Sequence, residues 1–129
     1  MKIYRFKNIG GIKIKRKKLK FDNEQFLISV YSYSNGRLRL KIENNKESHD
    51  ISMDLKDTIL DNSSILIDPV VLQNGLINYL KKARIIKEMT SSINYGYTVI
   101  PIAKLNMQIL RKYDSYGVTK YYERLEELK

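Results

Sequence analysis

Residues 26–43 read FLISVYSYSNGRLRLKIE, two runs rich in β-branched, aromatic and aliphatic side chains on either side of Asn35-Gly36. Both central positions of a two-residue type I′ turn need positive φ, which Asn and Gly adopt at least cost, so the dipeptide predicts a β-hairpin. A two-residue loop also sets the cross-strand partners. Tyr33 should face Leu38, Tyr31 face Leu40 and Ser29 face Ile42 on the side turned to the core. Ser34 with Arg37, Ser32 with Arg39 and Val30 with Lys41 should form a mixed, partly wet side.

Working outward, residues 2–6 alternate in character, and residues 9–15 alternate again around Gly10-Gly11, which offers a turn between two strands. Ile12 and Ile14 share one face there, with Lys13, Lys15 and Lys17 on the other. Residues 44–50 are polar and read as a loop. Ile51, Met53 and Leu55 then alternate with Ser52 and Asp54 as a further strand.

Beyond residue 67 the period changes. Asp68-Pro69 is a helix start, because Asp caps free N–H groups and Pro suits the first turn. Leu72, Leu76, Tyr79, Leu80 and Ala83 share one helical face; alternatively, Asn74-Gly75 is a turn and the helix begins after it. Residues 84–89 and 97–103 read as a second hairpin around a loop containing Asn94 and Gly96, with Pro101 requiring an edge or irregular position. Leu105, Ile109 and Leu110 suggest a short helix, and Val118, Tyr121, Tyr122, Leu125 and Leu128 an amphipathic terminal one. The expected fold class is α+β, in one domain spanning residues 1–129: an antiparallel sheet, mainly from residues 1–55, packed against helices of the second half. Tyr31, Tyr33, Leu38, Leu40, Leu76, Leu80, Leu125 and Ile109 are expected in the core.

Composition narrows the function. The chain of 129 residues has no cysteine and one histidine, His49, so thiolate zinc sites, thiol catalysis and multi-histidine metal sites are excluded. No GxGxxG, GxxxxGK[ST], HExxH or GxSxG motif occurs. Asp54, Asp57 and Asp61 could group as a Mg²⁺-dependent nuclease requires, but acids near loops and helix ends more often cap or face water. His49 has no catalytic partner in sequence. The expectation is no enzyme, no catalytic residue, no metal and no cofactor. No apolar run reaches the ~20 residues of a membrane span, and the N-terminus lacks a signal-peptide core, so a cytoplasmic protein with no membrane partner is expected.

The charge is concentrated. Of the net +10, residues 1–20 carry +9 with no acid, whereas residues 21–129 carry +1. Six of the eight residues 13–20 are basic: Lys13, Lys15, Arg16, Lys17, Lys18 and Lys20. Such a cluster contacts phosphates or an acidic surface, and together with Arg37 and Arg39 it forms the candidate binding patch. The predominance of Lys over Arg favours diffuse phosphate contact over base readout. Ten tyrosines invite a stacking role. Tyr31, Tyr33, Tyr79, Tyr121 and Tyr122 fall at core-compatible positions, while Tyr95, Tyr97, Tyr113 and Tyr116 lie where a loop could expose them. Ile, Lys, Asn and Tyr make up 54 residues, and their AT-rich codons point to an AT-rich bacterium, phage or plasmid.

Residues 51–110, ISMDLKDTILDNSSILIDPVVLQNGLINYLKKARIIKEM…YGYTVIPIAKLNMQIL, resemble a small family of uncharacterised-domain proteins of phages and conjugative elements. The likeness lies in a strand like ISMDL, a loop ending in Ile67-Asp68, a helix like LINYL, and a hairpin ending in residues 97–102 with Pro101. Some members resemble inhibitors of type II CRISPR nucleases. The resemblance implies a non-enzymatic anti-defence protein that blocks a CRISPR effector, or another nucleic-acid-loaded host defence complex, by binding its surface. It brings no catalytic residues, and the basic first twenty residues depart from the family. With a charge of +10 the chain cannot mimic DNA and would have to engage guide RNA, target DNA or an acidic patch. The alternative is a nucleic-acid-binding accessory or regulatory protein using the same patch on DNA or RNA directly.

Overall fold

The computed structural model describes the backbone of residues 8–9 and 12–13 and the whole of residues 16–129. Strands β1 (Asn8–Ile9) and β2 (Ile12–Lys13) pair antiparallel; the turn expected at Gly10-Gly11 and the strand expected at residues 2–6 lie outside the described residues. The first four-stranded sheet has the order β3-β4-β5-β6: β3 (Leu19–Phe21), β4 (Glu24–Ser32), β5 (Leu38–Glu43) and β6 (Ser48–Asp50). A second, with the order β7-β8-β10-β9, comprises β7 (Ser52–Met53), β8 (Ser64–Ile67), β9 (Ile86–Tyr95) and β10 (Thr98–Leu105). Helices α1 (Pro69–Gln73) and α2 (Leu76–Lys82) lie between β8 and β9 in sequence, and α3 (Met107–Glu127) ends the fold.

The fold is α+β with antiparallel sheets, and the second sheet is the main departure from expectation. The hairpin expected over residues 84–103 forms as β9 and β10, but β8 and β7 join it in a sheet that was not expected. Strand β8, SILI, is buried throughout, so it shows no alternation by which a strand could be told from any other short apolar run. Residues 48–50, read as loop, form β6 because Lys41, Ile42 and Glu43 of β5 offer them an open edge.

The Asn35-Gly36 hairpin forms, but with a three-residue loop. Tyr33 N donates to Arg37 O at 2.8 Å, Gly36 N donates to Tyr33 O at 2.8 Å, and Gly36 alone takes the left-handed conformation at φ +88°. This is a type I turn closed by a glycine bulge, and the extra loop residue shifts the register by one. Leu40 therefore pairs with Val30, Ile42 with Ile28 and Arg39 with Tyr31. Strand β5 faces as predicted, with Leu38, Leu40 and Ile42 buried and Arg39 outward, but β4 is inverted. Ile28 and Val30 enter the core. Tyr31 and Tyr33 are half-buried, with hydroxyls bonded to Glu43 Oε2 and Ser52 Oγ, each at 2.9 Å.

Asp68 caps α1 by accepting from Val70 N at 3.0 Å, and α2 begins after Gly75, so both candidate helix starts are used. The α2 C-terminus is a Schellman motif: Ile85 N donates to Leu80 O and Arg84 N to Lys81 O, both at 3.0 Å. The left-handed position, usually Gly, is Arg84 at φ +63°. In the β9–β10 hairpin Pro101 pairs with Ser92, and β8 joins β10 only from Ile102 onward, so the proline precedes the doubly paired stretch. One core runs through both sheets, including Val30, Leu40, Ile51, Ile65, Leu80, Leu110 and Val118. Leu38, Leu76 and Leu80 are buried as expected, and Leu125 and Ile109 pack partly buried against that core. Among the described residues no helix is long and apolar enough to cross a membrane.

The two helices expected after residue 104 are one element with a break at Asp114, whose φ of −157° and ψ of 75° lie outside the helical region. Its Oδ1 accepts from Gly117 N at 3.0 Å, capping the second segment, and its Oδ2 accepts from Val30 N at 2.9 Å. A Cβ on Gly117 would sit 2.3 Å from Asp114 Oδ2 and 2.5 Å from Val30 O, so only glycine allows helix and strand this close. Gly117→Ala is expected to destabilise the protein by about 2 kcal/mol or more, seen as a lower Tm in calorimetry. Arg84→Gly should stabilise it by about 0.5–1 kcal/mol in urea titration, since it relieves a left-handed strain and leaves the cap bonds intact.

Candidate nucleic-acid interface

The structure divides the basic residues singled out in the sequence into those with partners inside the protein and those without. Arg16 does not belong to an exposed patch. It is 6% exposed and lies against the open edge of β4, where β3 no longer pairs. Its Nε donates to Tyr113 O at 2.7 Å, and one terminal nitrogen donates to Ile28 O at 2.6 Å and Ser29 Oγ at 3.0 Å. The Asp114 carboxylate, itself 1% exposed, lies 3.8 Å from that nitrogen. Arg16 is the one arginine among residues 13–20, and a planar guanidinium suits buried pairing better than a lysine ammonium does; that was the available signal.

Arg37 and Arg39 are also engaged. Arg37 binds Asp54 Oδ1 at 3.1 Å and the carbonyls of Leu55 and Thr58, holding the loop after β7. Arg39 forms a two-pronged pair with Asp50 at 2.9 and 3.2 Å and stacks over the Tyr33 ring at 5.3 Å. Its pKa is pushed up, first by the hydrogen bond to Asp50. The Lys13 and Lys15 side chains lie outside the described residues.

What remains is a ribbon of lysines. Lys17, Lys18 and Lys20 are exposed along the segment that leads into β3. Lys17 N donates to Lys112 O at 3.0 Å, which ties the segment to α3, and the Lys17 ammonium sits 5.5 Å from the Tyr113 ring. At the other end Lys20 and Lys82 line the same cleft. Among the described residues none of Lys17, Lys18, Lys20, Lys82 and Lys112 has a carboxylate within 4 Å.

That cleft, of about 410 Å³, lies between the β3–β4 hairpin and the end of α2, with Leu19, Tyr79 and Ala83 as its apolar walls. The hairpin turn is Asp22-Asn23, between the paired Phe21 and Glu24, and both turn residues have positive φ as a type I′ turn requires. Phe21 meets the Tyr79 ring edge-on at 5.1 Å, which docks the hairpin on the helix. Tyr79, expected in the core, is 44% exposed because α2 is only two turns long and its core face is filled by Leu76, Ile77 and Leu80. Tyr122 is likewise exposed, whereas Tyr113, placed among the loop tyrosines, is buried beside Arg16. Tyr95 and Tyr97 are exposed at the β9–β10 tip as expected.

Of the three aspartates considered as a metal site, Asp54 and Asp61 are committed locally. Asp54 accepts from Arg37 and from Asn35 Nδ2 at 2.8 Å. Asp61 accepts from Ser63 N at 3.0 Å and Lys104 Nζ at 3.2 Å; hydrogen bonds, that of Ser64 foremost, hold its carboxyl down at about 2. Tyr121 donates its hydroxyl to Asn62 O at 2.6 Å, and burial pushes it up to about 12. His49 pairs with Glu47 at 2.6 Å on exposed β6. No three His, Asp or Glu side chains group as a metal site among the described residues. No family model, curated protein or solved structure matches the chain, so the likeness of residues 51–110 rests on its quoted motifs alone.

The basic residues are thus expected to differ in effect. Arg16→Ala removes the buried hydrogen bonds to Tyr113 O, Ile28 O and Ser29 Oγ along with the charge beside Asp114, and should cost about 3 kcal/mol or more, roughly 10 °C in Tm. Lys17→Ala with Lys18→Ala should move Tm by less than about 2 °C, because exposed charges contribute little to folding. Thermal melts of the two variants check this.

Proposed function

We propose that this chain is a non-enzymatic binding protein whose lysine ribbon engages nucleic-acid phosphates. One observation carries this: Lys17, Lys18, Lys20, Lys82 and Lys112 form a connected, exposed run with no ion pair among the described residues, while the nearby Arg16 is buried against Asp114. Unneutralised cations on one run create a positive field that accelerates encounter with a polyanion and adds affinity. Lysine ammonium groups meet phosphates as point charges, without the fixed fork that arginine uses to read bases.

The likeness of residues 51–110 directs this binding toward an anti-defence role. There the phosphates belong to guide or target strands of a nucleic-acid-loaded complex such as a CRISPR effector, and the protein acts by occupying that surface. The second reading is an accessory or regulatory protein that binds free DNA or RNA. It is favoured by the cleft at the end of the ribbon, which is open to a free strand.

Binding measured by fluorescence anisotropy across a salt titration tests both. Wild-type affinity for nucleic acid, free or in the loaded effector, should fall steeply with salt. The combined Lys17→Ala, Lys18→Ala and Lys20→Ala variant should bind at least tenfold more weakly at low salt, with the log–log slope reduced by about 0.7–0.9 for each phosphate that is no longer neutralised. Binding to the loaded effector alone favours the anti-defence role, and binding to free strands favours the accessory one. Equal binding by variant and wild type at all salt concentrations overturns the phosphate reading.

A further inference from the structure

We infer that the cleft between the β3–β4 hairpin and the C-terminal end of α2 is a subsite for one unpaired nucleotide, with its base on Tyr79 and its phosphate between Lys20 and Lys82. This rests on the phosphate reading and names the form of nucleic acid it serves, a single strand. Lys20 and Lys82 belong to different elements, yet both line the cleft and neither pairs with an acid among the described residues. Their separation in sequence means that the docking of Phe21 on Tyr79 is what brings the two charges to one opening.

The cleft is also the right kind of space. At about 410 Å³ it falls in the range of small-ligand sites, and Leu19, Ala83 and the half-exposed Tyr79 give it apolar walls. An exposed aromatic between cations is the arrangement by which proteins hold unpaired bases, whatever their sequence. A duplex stacks its bases internally and cannot offer one to Tyr79; an extruded or single-stranded base can. Asp22 and Asn23, the two residues of the type I′ turn, also line the cleft. The Asp22 carboxylate repels phosphate and can accept from an exocyclic amine or ribose hydroxyl.

The experiment compares two end-labelled strands of about ten nucleotides by anisotropy, oligo(dA) and a deoxyribose-phosphate strand of the same length lacking all bases. Oligo(dA) should bind about tenfold more tightly than the abasic strand, the size of one base stack. Tyr79→Leu should erase that difference, Tyr79→Phe should keep it, and Lys20→Gln with Lys82→Gln should weaken both strands. If the abasic strand binds as tightly as oligo(dA) to wild type, the stacking subsite is overturned while the phosphate reading stands. If neither strand binds, both fall. Should Tyr79→Leu fail to fold by circular dichroism, the comparison of the two strands on wild type and on Tyr79→Phe decides the matter.

Discussion

Strand β4 is longer than the strand that pairs with its outer edge among the described residues. Strand β3 pairs with it as far as Phe26, and beyond that point the buried backbone of Ile28 and Val30 bonds to side chains. A buried unpaired peptide group costs about 1–3 kcal/mol, and a central strand can hardly carry two. Here the Arg16 guanidinium takes the Ile28 carbonyl and the Asp114 carboxylate takes the Val30 N–H, while the two side chains neutralise each other. Helix α3 bends at Asp114 to make this possible, and Gly117 lets it close on the strand. Arg16 and Asp114 thus join sheet, helix and N-terminal segment at one place.

The edge of β5 has a parallel solution. Leu40 N donates to Ser52 Oγ at 2.9 Å, and Leu40 O accepts from Ile51 N at 2.8 Å, so the start of the second sheet covers the edge that β6 leaves open. The two sheets meet at this junction, and the core passes continuously between them. Arg37 extends the link by holding the loop that follows β7. The first sheet therefore relies on side chains of other elements, at β4 and again at β5, to complete its hydrogen bonding.

Arg16, Arg37 and Arg39 carry internal work, and Lys17, Lys18 and Lys20 face outward. Arg16, Arg37 and Arg39 each contact a carboxylate, and Arg16 and Arg37 take backbone carbonyls as well, which a fork of planar donors can do. The exposed lysines between residues 17 and 20 lack such partners, and their strongly hydrated ammonium groups are suited to remain in water until a polyanion displaces it.

Local chemistry alone determined several features. Asp68-Pro69 starts a helix, Asn74-Gly75 divides it, Asn35-Gly36 turns a hairpin, and residues 13–20 concentrate the charge, because caps, positive φ and formal charge depend only on nearby residues. Other features needed partners distant in sequence. One extra loop residue inverted β4 against β5, and only packing against the core chooses between a two-residue and a three-residue turn. Strand β8 is apolar on both faces and acquires its identity from β7 and β10. Of the four described basic residues among positions 16–20, the one that goes inside is set by Asp114, 98 positions away. The nucleotide-sized cleft, likewise, exists only because a hairpin at residue 22 lies against a helix at residue 79. Such pairings are decided by which arrangement leaves no buried charge or peptide group alone, a condition met only once the whole chain is in place.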